Sequence, residues 1–277
     1  MTAPLGQLLT DSWSSFRRAL MPIVVGAVIF GLILGVAQSF VGQRMVQKAG
    51  SALEGLGFDQ QQMEDLQRRI QAGDETAMNE FAQRMQQLGG EQGEAVSGAL
   101  VSMYKGLLPA IGASMLIMWV ISLVASAYFL LLALDEKLTF QGALARTPGL
   151  IIPLFLLSLW IMLRSFIWVP LLGIILAIIL GPRFVCAPVL LARDHKGVLE
   201  SASMSYAKTR GQWGKILGNT FVAAVSAMIA VMVLGIVVGM LGMRVSGIVM
   251  PMVNMLSTAF ITIFVVRLSS TILSNAK

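Results

Sequence analysis

The stretch ILGPRFVCAPVLLARDHKG, residues 179–197, sets Arg183 inside an apolar run, ten residues before the next charge at Arg193. If the run is helical, a rise of about 1.5 Å per residue puts Arg183 roughly 15 Å from that charged end, near the middle of a hydrocarbon core about 30 Å thick. A guanidinium at that depth is costly, and it marks either a brace for the backbone or a binding site.

Working outward, the rest of the chain has the same character. Of 277 residues, 56% are hydrophobic and 12% charged, and the mean hydropathy is +0.79; soluble domains carry about a quarter charged residues. Apolar runs at 19–40 and 107–134 are each long enough to span a membrane. The block 149–192 is too long for one span, and Pro170 with the polar step at Arg164 and Ser165 divides it in two. Two more runs follow at 216–242 and 248–272, separated by GMRVSG. The reading predicts an all-α polytopic membrane protein with six transmembrane helices. Its parts are an N-terminal interfacial helix with the first span (1–40), an extracytoplasmic helical insertion (41–106), and spans two to six with cytoplasmic elbows (107–277).

Lysine and arginine in the short connectors give the orientation. Arg17, Arg18, Lys137, Arg146, Arg193 and Lys196 fall on one side with further basic residues, while the other short loops hold only Arg164 and Arg244. Both termini are therefore expected in the cytoplasm. A signal peptide is the competing reading of FRRALMPIVVGAVIFGLILGVAQ, but the apolar run exceeds the usual h-region of about 7–15 residues, which favours an uncleaved span. The net charge of +6 sits beside apolar spans, where it orients helices and meets anionic headgroups; nucleic acid is not the expected partner.

Residues 41–106 carry nine acidic and six basic residues, and the topology puts them outside. Met63, Leu66 and Ile70 recur at helical spacing; Gly73 and Asp74 then separate them from Met78, Phe81, Met85 and Leu88. This predicts a helical hairpin ending at Gly89 and Gly90. Its apolar stripes either bury each other and extensions of spans one and two, or form a groove for a membrane-protein partner.

Three cytoplasmic connectors, LLTDSWSSFRRALMP, LTFQGALARTPGLIIP and VLESASMSYAKTRGQWGKI, form a faint internal repeat ahead of spans one, three and five. In the first, Leu5, Leu8, Leu9, Trp13, Phe16 and Leu20 share a helical face opposite Asp11 and Arg18, as expected of a helix lying in the membrane interface. The architecture expected is three units, each an interfacial elbow followed by a transmembrane hairpin.

The fourth span and third elbow resemble the membrane domain of bacterial glycerophosphoryl diester phosphodiesterases and its stand-alone six-span relatives. The resemblance rests on Arg183, Ala187 with Pro188, Gly197, Ser205, Arg210, Gly211 and Trp213. It covers this part well and the remaining spans loosely. No segment is long enough for the α/β barrel of such an enzyme, and the insertion is longer than the family's outer loop. What the resemblance implies is a six-helix fold in the bacterial inner membrane.

Residues for catalysis are sparse. His195, the single histidine, stands in the turn RDHKG; Cys186 is the single cysteine and reads as a small buried hydrophobe. No carboxylate lies inside a span, since Asp135 and Glu136 sit at an end, so a carboxylate proton relay lacks its parts. GLILG at 31–35 and GIVVG at 235–239 read as small-residue surfaces for close helix contact. Met240, Met243, Met250, Met252 and Met255 gather near the turn between the last two spans; thioethers suit Cu(I), but methionine also fills irregular space between helices. No cofactor is expected. For Arg183, one reading is a brace among carbonyls freed by Pro182 and Pro188, hydroxyls of the sixth span and water reaching down from the cytoplasm. The other is a basic pocket for an anionic headgroup with Arg267, to which Arg210 and Trp213 of the third elbow are added. The functional expectation is a non-catalytic scaffold or accessory subunit binding anionic lipid or a membrane partner, against a transporter whose broken helices line a path.

Overall fold

Pro4 has the fixed backbone angle of its ring, φ −60°, and an extended ψ of 144°, so the chain enters the first helix directly behind it. In the computed structural model, the described residues are 4–54, 65, 69, 76, 77, 79, 93–166, 178–240 and 242–275. Every regular element among them is helical. In order these are α1 (Leu5–Arg18), α2 (Leu20–Glu54), α3 (Gly93–Leu134), α4 (Phe140–Phe166), a 3-10 turn (Gly181–Phe184), α5 (Ala187–Arg193), α6 (Val198–Lys208), α7 (Trp213–Gly239) and α8 (Met243–Asn275).

Five stretches are long and apolar enough to cross a membrane: Leu20–Arg44, Leu108–Leu134, Phe140–Arg164, Trp213–Gly239 and Val245–Ser274. Large apolar side chains stand exposed along them, including Ile33, Met115, Ile152, Met228 and Ile236, as expected where the surrounding medium is hydrocarbon. The fourth span of the sequence reading is not a continuous helix over its described part. Gly181 and Pro182 start a 3-10 turn, Val185 and Cys186 form a further turn, and Pro188 sits in the first turn of the short α5. The two prolines supply no N–H to the helix ladder, and proline at the start of a helix is tolerated where proline inside it is not. Pro170, placed at the division of the long block, lies outside the described residues.

The chain divides into two compact units, Met1–Gly35 with Trp119–Lys277, and Val36–Met118. In the first, α1 lies against the C-terminal half of α8, and Leu8 packs in one core with Cys186, Leu190, Ile216, Phe264, Leu268 and Ile272. The buried face of α1 is Leu8, Ser12, Ser15 and Phe16, while Trp13 is 54% exposed. That face is rotated from the purely apolar stripe of the sequence, because the two serines satisfy their hydroxyls on their own helix, Ser12 at the Leu8 carbonyl (2.6 Å) and Ser15 at the Asp11 carbonyl (2.9 Å). Gly31 and Gly35 face Met252 and Pro251 of α8, and Gly26 meets the ring of Tyr128, whose hydroxyl donates to the Pro22 carbonyl at 2.6 Å. The GLILG surface therefore joins α2 to α8. In GIVVG, Gly235 contacts the side chain of Met250, whereas Gly239 has nothing near it.

In the second unit, α2 continues to Glu54 and α3 begins at Gly93, so the first two spans do extend into the polar insertion. Gln38 of one meets Met118 of the other, and Arg69 donates to Thr76 at 3.2 Å. The apolar stripes of the expected hairpin, from Met63 to Leu88, lie outside the described residues.

Candidate functional site

The break at 181–186 leaves backbone groups without helical partners, and hydroxyls from two other helices supply them. Ser205 donates to the Arg183 carbonyl (2.8 Å) and accepts from the Cys186 N–H (3.2 Å). The Thr209 hydroxyl, one turn further along α6, lies 3.2 Å from the same Arg183 carbonyl. Ser269 of α8 donates to the Val185 carbonyl (3.1 Å), and the Trp213 indole N–H to the Ile179 carbonyl (2.8 Å). Ser205, Thr209 and Ser269 are fully buried, and a buried carbonyl left without a donor would cost about 1–3 kcal/mol. The hydroxyls thus brace the backbone at Arg183. The Arg183 guanidinium stands apart from this bonding, 5.1 Å from the centre of the Tyr206 ring.

Arg267 has a different setting. Glu136, in the connector between α3 and α4, accepts from Arg267 and from Arg18, the latter at 2.6 Å from Nε. One carboxylate thereby fastens the end of α1 to α8. Partial burial works against the charged form of Glu136, but hydrogen bonds from Arg18 and Ser15 and the charges of Arg267 and Arg18 outweigh it, holding the carboxyl below the usual carboxylate range. The sequence reading set Arg267 beside Arg183; in the structure Arg267 is bonded to Glu136.

Two concavities adjoin these elements. The larger, about 330 Å³, is an apolar groove between α1, α7 and α8, walled by Trp13, Phe16, Ala227, Ala230, Leu256 and Phe260. Trp13 and Phe16 stack with centroids 5.7 Å apart, and both meet Phe260. The smaller, about 220 Å³, is a cleft between the end of α4 and α6 whose walls include Trp160, Arg164, Phe184, Ala202, Ser203 and Tyr206. Arg164 belongs to this cleft, beside the elbow, although alternating spans would put it across the membrane from that elbow. The intervening chain turns at Gly181 and Pro182 instead of running on as a helix, and Phe184 comes to rest against Trp160 with centroids 5.4 Å apart.

The remaining residues singled out from the sequence are dispersed. Arg210 is exposed beside Gly211, which takes φ +80° in the turn before α7. Met240 is 82% exposed, Met255 is 3% exposed, Met250 lies on Gly235 and Met252 on Gly31; the Met243 side chain is outside the described ones. Met250 and Met252 thus face different helices, α7 and α2. His195 is exposed with φ 50° in the turn between α5 and α6. Among the described residues no three of His, Cys, Asp and Glu group as metal ligands.

What the sequence missed is the use of Glu136 and Thr209; a hydroxyl of the sixth span was expected at the Arg183 side chain, and Ser269 of that span instead bonds the Val185 carbonyl. A signal was present for one of them: Ser205 and Thr209 stand four apart, on one face of a helix. Comparison with models of known protein families, with curated proteins and with solved structures finds no match to this chain.

Proposed function

We propose that this is a non-catalytic protein of the bacterial inner membrane that acts as a scaffold or accessory subunit by holding anionic lipid. The apolar groove of α1 carries the reading. Two of its walls, α7 and α8, are long and apolar enough to cross a membrane, so the medium it opens to is acyl chain, and its volume falls at the lower end of the range of ligand pockets, about 300–1,000 Å³. The α1 helix that covers it ends in Arg17 and Arg18; Arg18 is held by Glu136, and the exposed Arg17 supplies positive charge near a bound headgroup. The test is to plug the groove. Ala230→Trp fills it from an exposed position on α7, and Ala224→Trp adds the same bulk at an exposed position that does not line it. Native mass spectrometry in mild detergent is expected to find phospholipid retained by the wild type and by Ala224→Trp and largely lost from Ala230→Trp. Equal retention in all three overturns the reading.

The same proposal places both termini and the connectors near 137 and 200 in the cytoplasm and residues 41–106 outside. It is supported by the connector charges and by the packing of α1 on the C-terminal half of α8, which keeps both ends of the first unit together. In a Cys186→Ser background, Gln71→Cys is expected to react with an impermeant thiol reagent in intact cells, while His195→Cys reacts only after lysis. The reverse pattern inverts the topology.

A further inference from the structure

The cleft between α4 and α6 has Arg164 in its wall, and a second guanidinium, that of Arg183, stands over the Tyr206 ring of that wall. Arg164 lies 5.4 Å from the centre of the Trp160 ring, and Arg183 lies 5.1 Å from that of Tyr206; both rings belong to the cleft wall. Neither arginine pairs with a carboxylate among the described residues. The acidic side chains nearest in sequence are already engaged, Asp194 with Arg193 (2.8 Å) and Glu200 with Lys196 (2.6 Å). A guanidinium stacked on an aromatic face still presents its N–H groups around the edge of its plane, in the fork that matches a phosphate. The exposed hydroxyl of Ser203 stands in the same cleft as a further donor.

The position of the cleft also fits a headgroup. Phe184 of its wall precedes Val185, whose carbonyl is bonded by Ser269, two residues from Arg267 in the Arg18–Glu136–Arg267 cluster. On its elbow side the cleft therefore adjoins the C-terminal part of α8 that carries Arg267. We propose that Arg164 and Arg183 bind the phosphate group of an anionic amphiphile in this cleft. The proposal deepens the lipid-binding reading but uses a site separate from the α1 groove, so the two can fail independently.

The probe is dihexanoyl phosphatidic acid, titrated calorimetrically into the full chain in mild detergent, with dihexanoylglycerol as the same chains without phosphate. Wild type is expected to bind the first and not the second. Arg164→Gln and Arg183→Gln should each weaken binding about tenfold or more, the scale of a charge-assisted hydrogen bond. Arg183→Lys, which keeps the charge but loses the fork, should fall between them and wild type. Ala230→Trp should bind as wild type does, because its bulk is in the other cavity. Inorganic phosphate that displaces the probe from wild type assigns the cleft to phosphate alone; failure to displace it assigns the cleft to the lipid form, and both outcomes support the site. Arg164 is exposed at the end of its helix, so Arg164→Gln folds whether or not Arg183→Gln does. Undiminished binding by Arg164→Gln, or equal binding of dihexanoylglycerol, overturns the proposal.

Discussion

Glu136→Gln is expected to destabilise the first compact unit by about 2 kcal/mol, read as a fall in the thermal or denaturant midpoint in detergent. The carboxylate side chain is 25% exposed and its partners Arg18 and Arg267 are 59% and 33% exposed, so the figure is well below the 3–5 kcal/mol typical of breaking a fully buried pair. Most of the loss comes from Arg267, whose terminal nitrogen would lose the carboxylate that pairs it. The pH dependence has a definite sign. A carboxyl whose folded pKa is lowered adds stability above its unfolded pKa, near 4.3, and loses it as pH falls through the folded value. The stability gap between wild type and Glu136→Gln should thus be full at neutral pH and close as the solution is acidified below about pH 4. A gap unchanged down to pH 2 would show that the charge on Glu136 does not hold α1 to α8.

A larger loss, about 3 kcal/mol or more, is expected for Gly31→Ala. A Cβ at Gly31 would lie 2.6 Å from the Cα and 2.8 Å from the backbone nitrogen of Met252. No rotamer change relieves a clash with backbone, so α2 and α8 must separate, losing the close packing that joins helices where lipid and side chains are equally apolar. The change also removes a flexible residue from a helix interior, which alone would stabilise by about 0.5–1 kcal/mol. Gly218→Ala isolates that gain, because nothing lies within 4 Å of its added methyl. Melting curves should therefore move in opposite directions for the two variants. A Gly31→Ala protein as stable as Gly218→Ala would mean that the α2–α8 contact is not tight.

What could be read directly from the chain was local. Runs of apolar residues located five long helices, and the three- and four-residue spacing of Leu5, Leu8 and Phe16 located α1, because both signals lie within one element. The glycines of GLILG likewise showed a contact surface, although not that Met252 faces it. Glu136 was legible only as a charge at the end of a span. Its partners stand 118 and 131 residues away, and no periodicity encodes a pairing of that kind. The distance of Arg183 from Arg193 was reckoned along an unbroken helix, which the turns at 181–186 do not provide. The prolines at 182 and 188 were visible, but whether they bend a helix or end it depends on who takes the freed carbonyls. The answer lay in Ser205, Thr209 and Ser269, residues whose hydroxyls are ordinary until the fold brings them to Arg183 and Val185.

That hydroxyl bracing imposes an order on synthesis. The Val185 carbonyl waits for Ser269, 84 residues later in the chain, and at about 5–20 residues per second a ribosome delivers that serine roughly 4–17 s after Val185. During those seconds the broken stretch has no intramolecular donor for this group and cannot settle among acyl chains without a penalty. It must remain where water, headgroups or the insertion machinery can serve, with α6 and then α8 drawing it into place. The last helix is consequently the closure of the bundle, and a nascent chain halted before it is the form most open to membrane quality-control proteases.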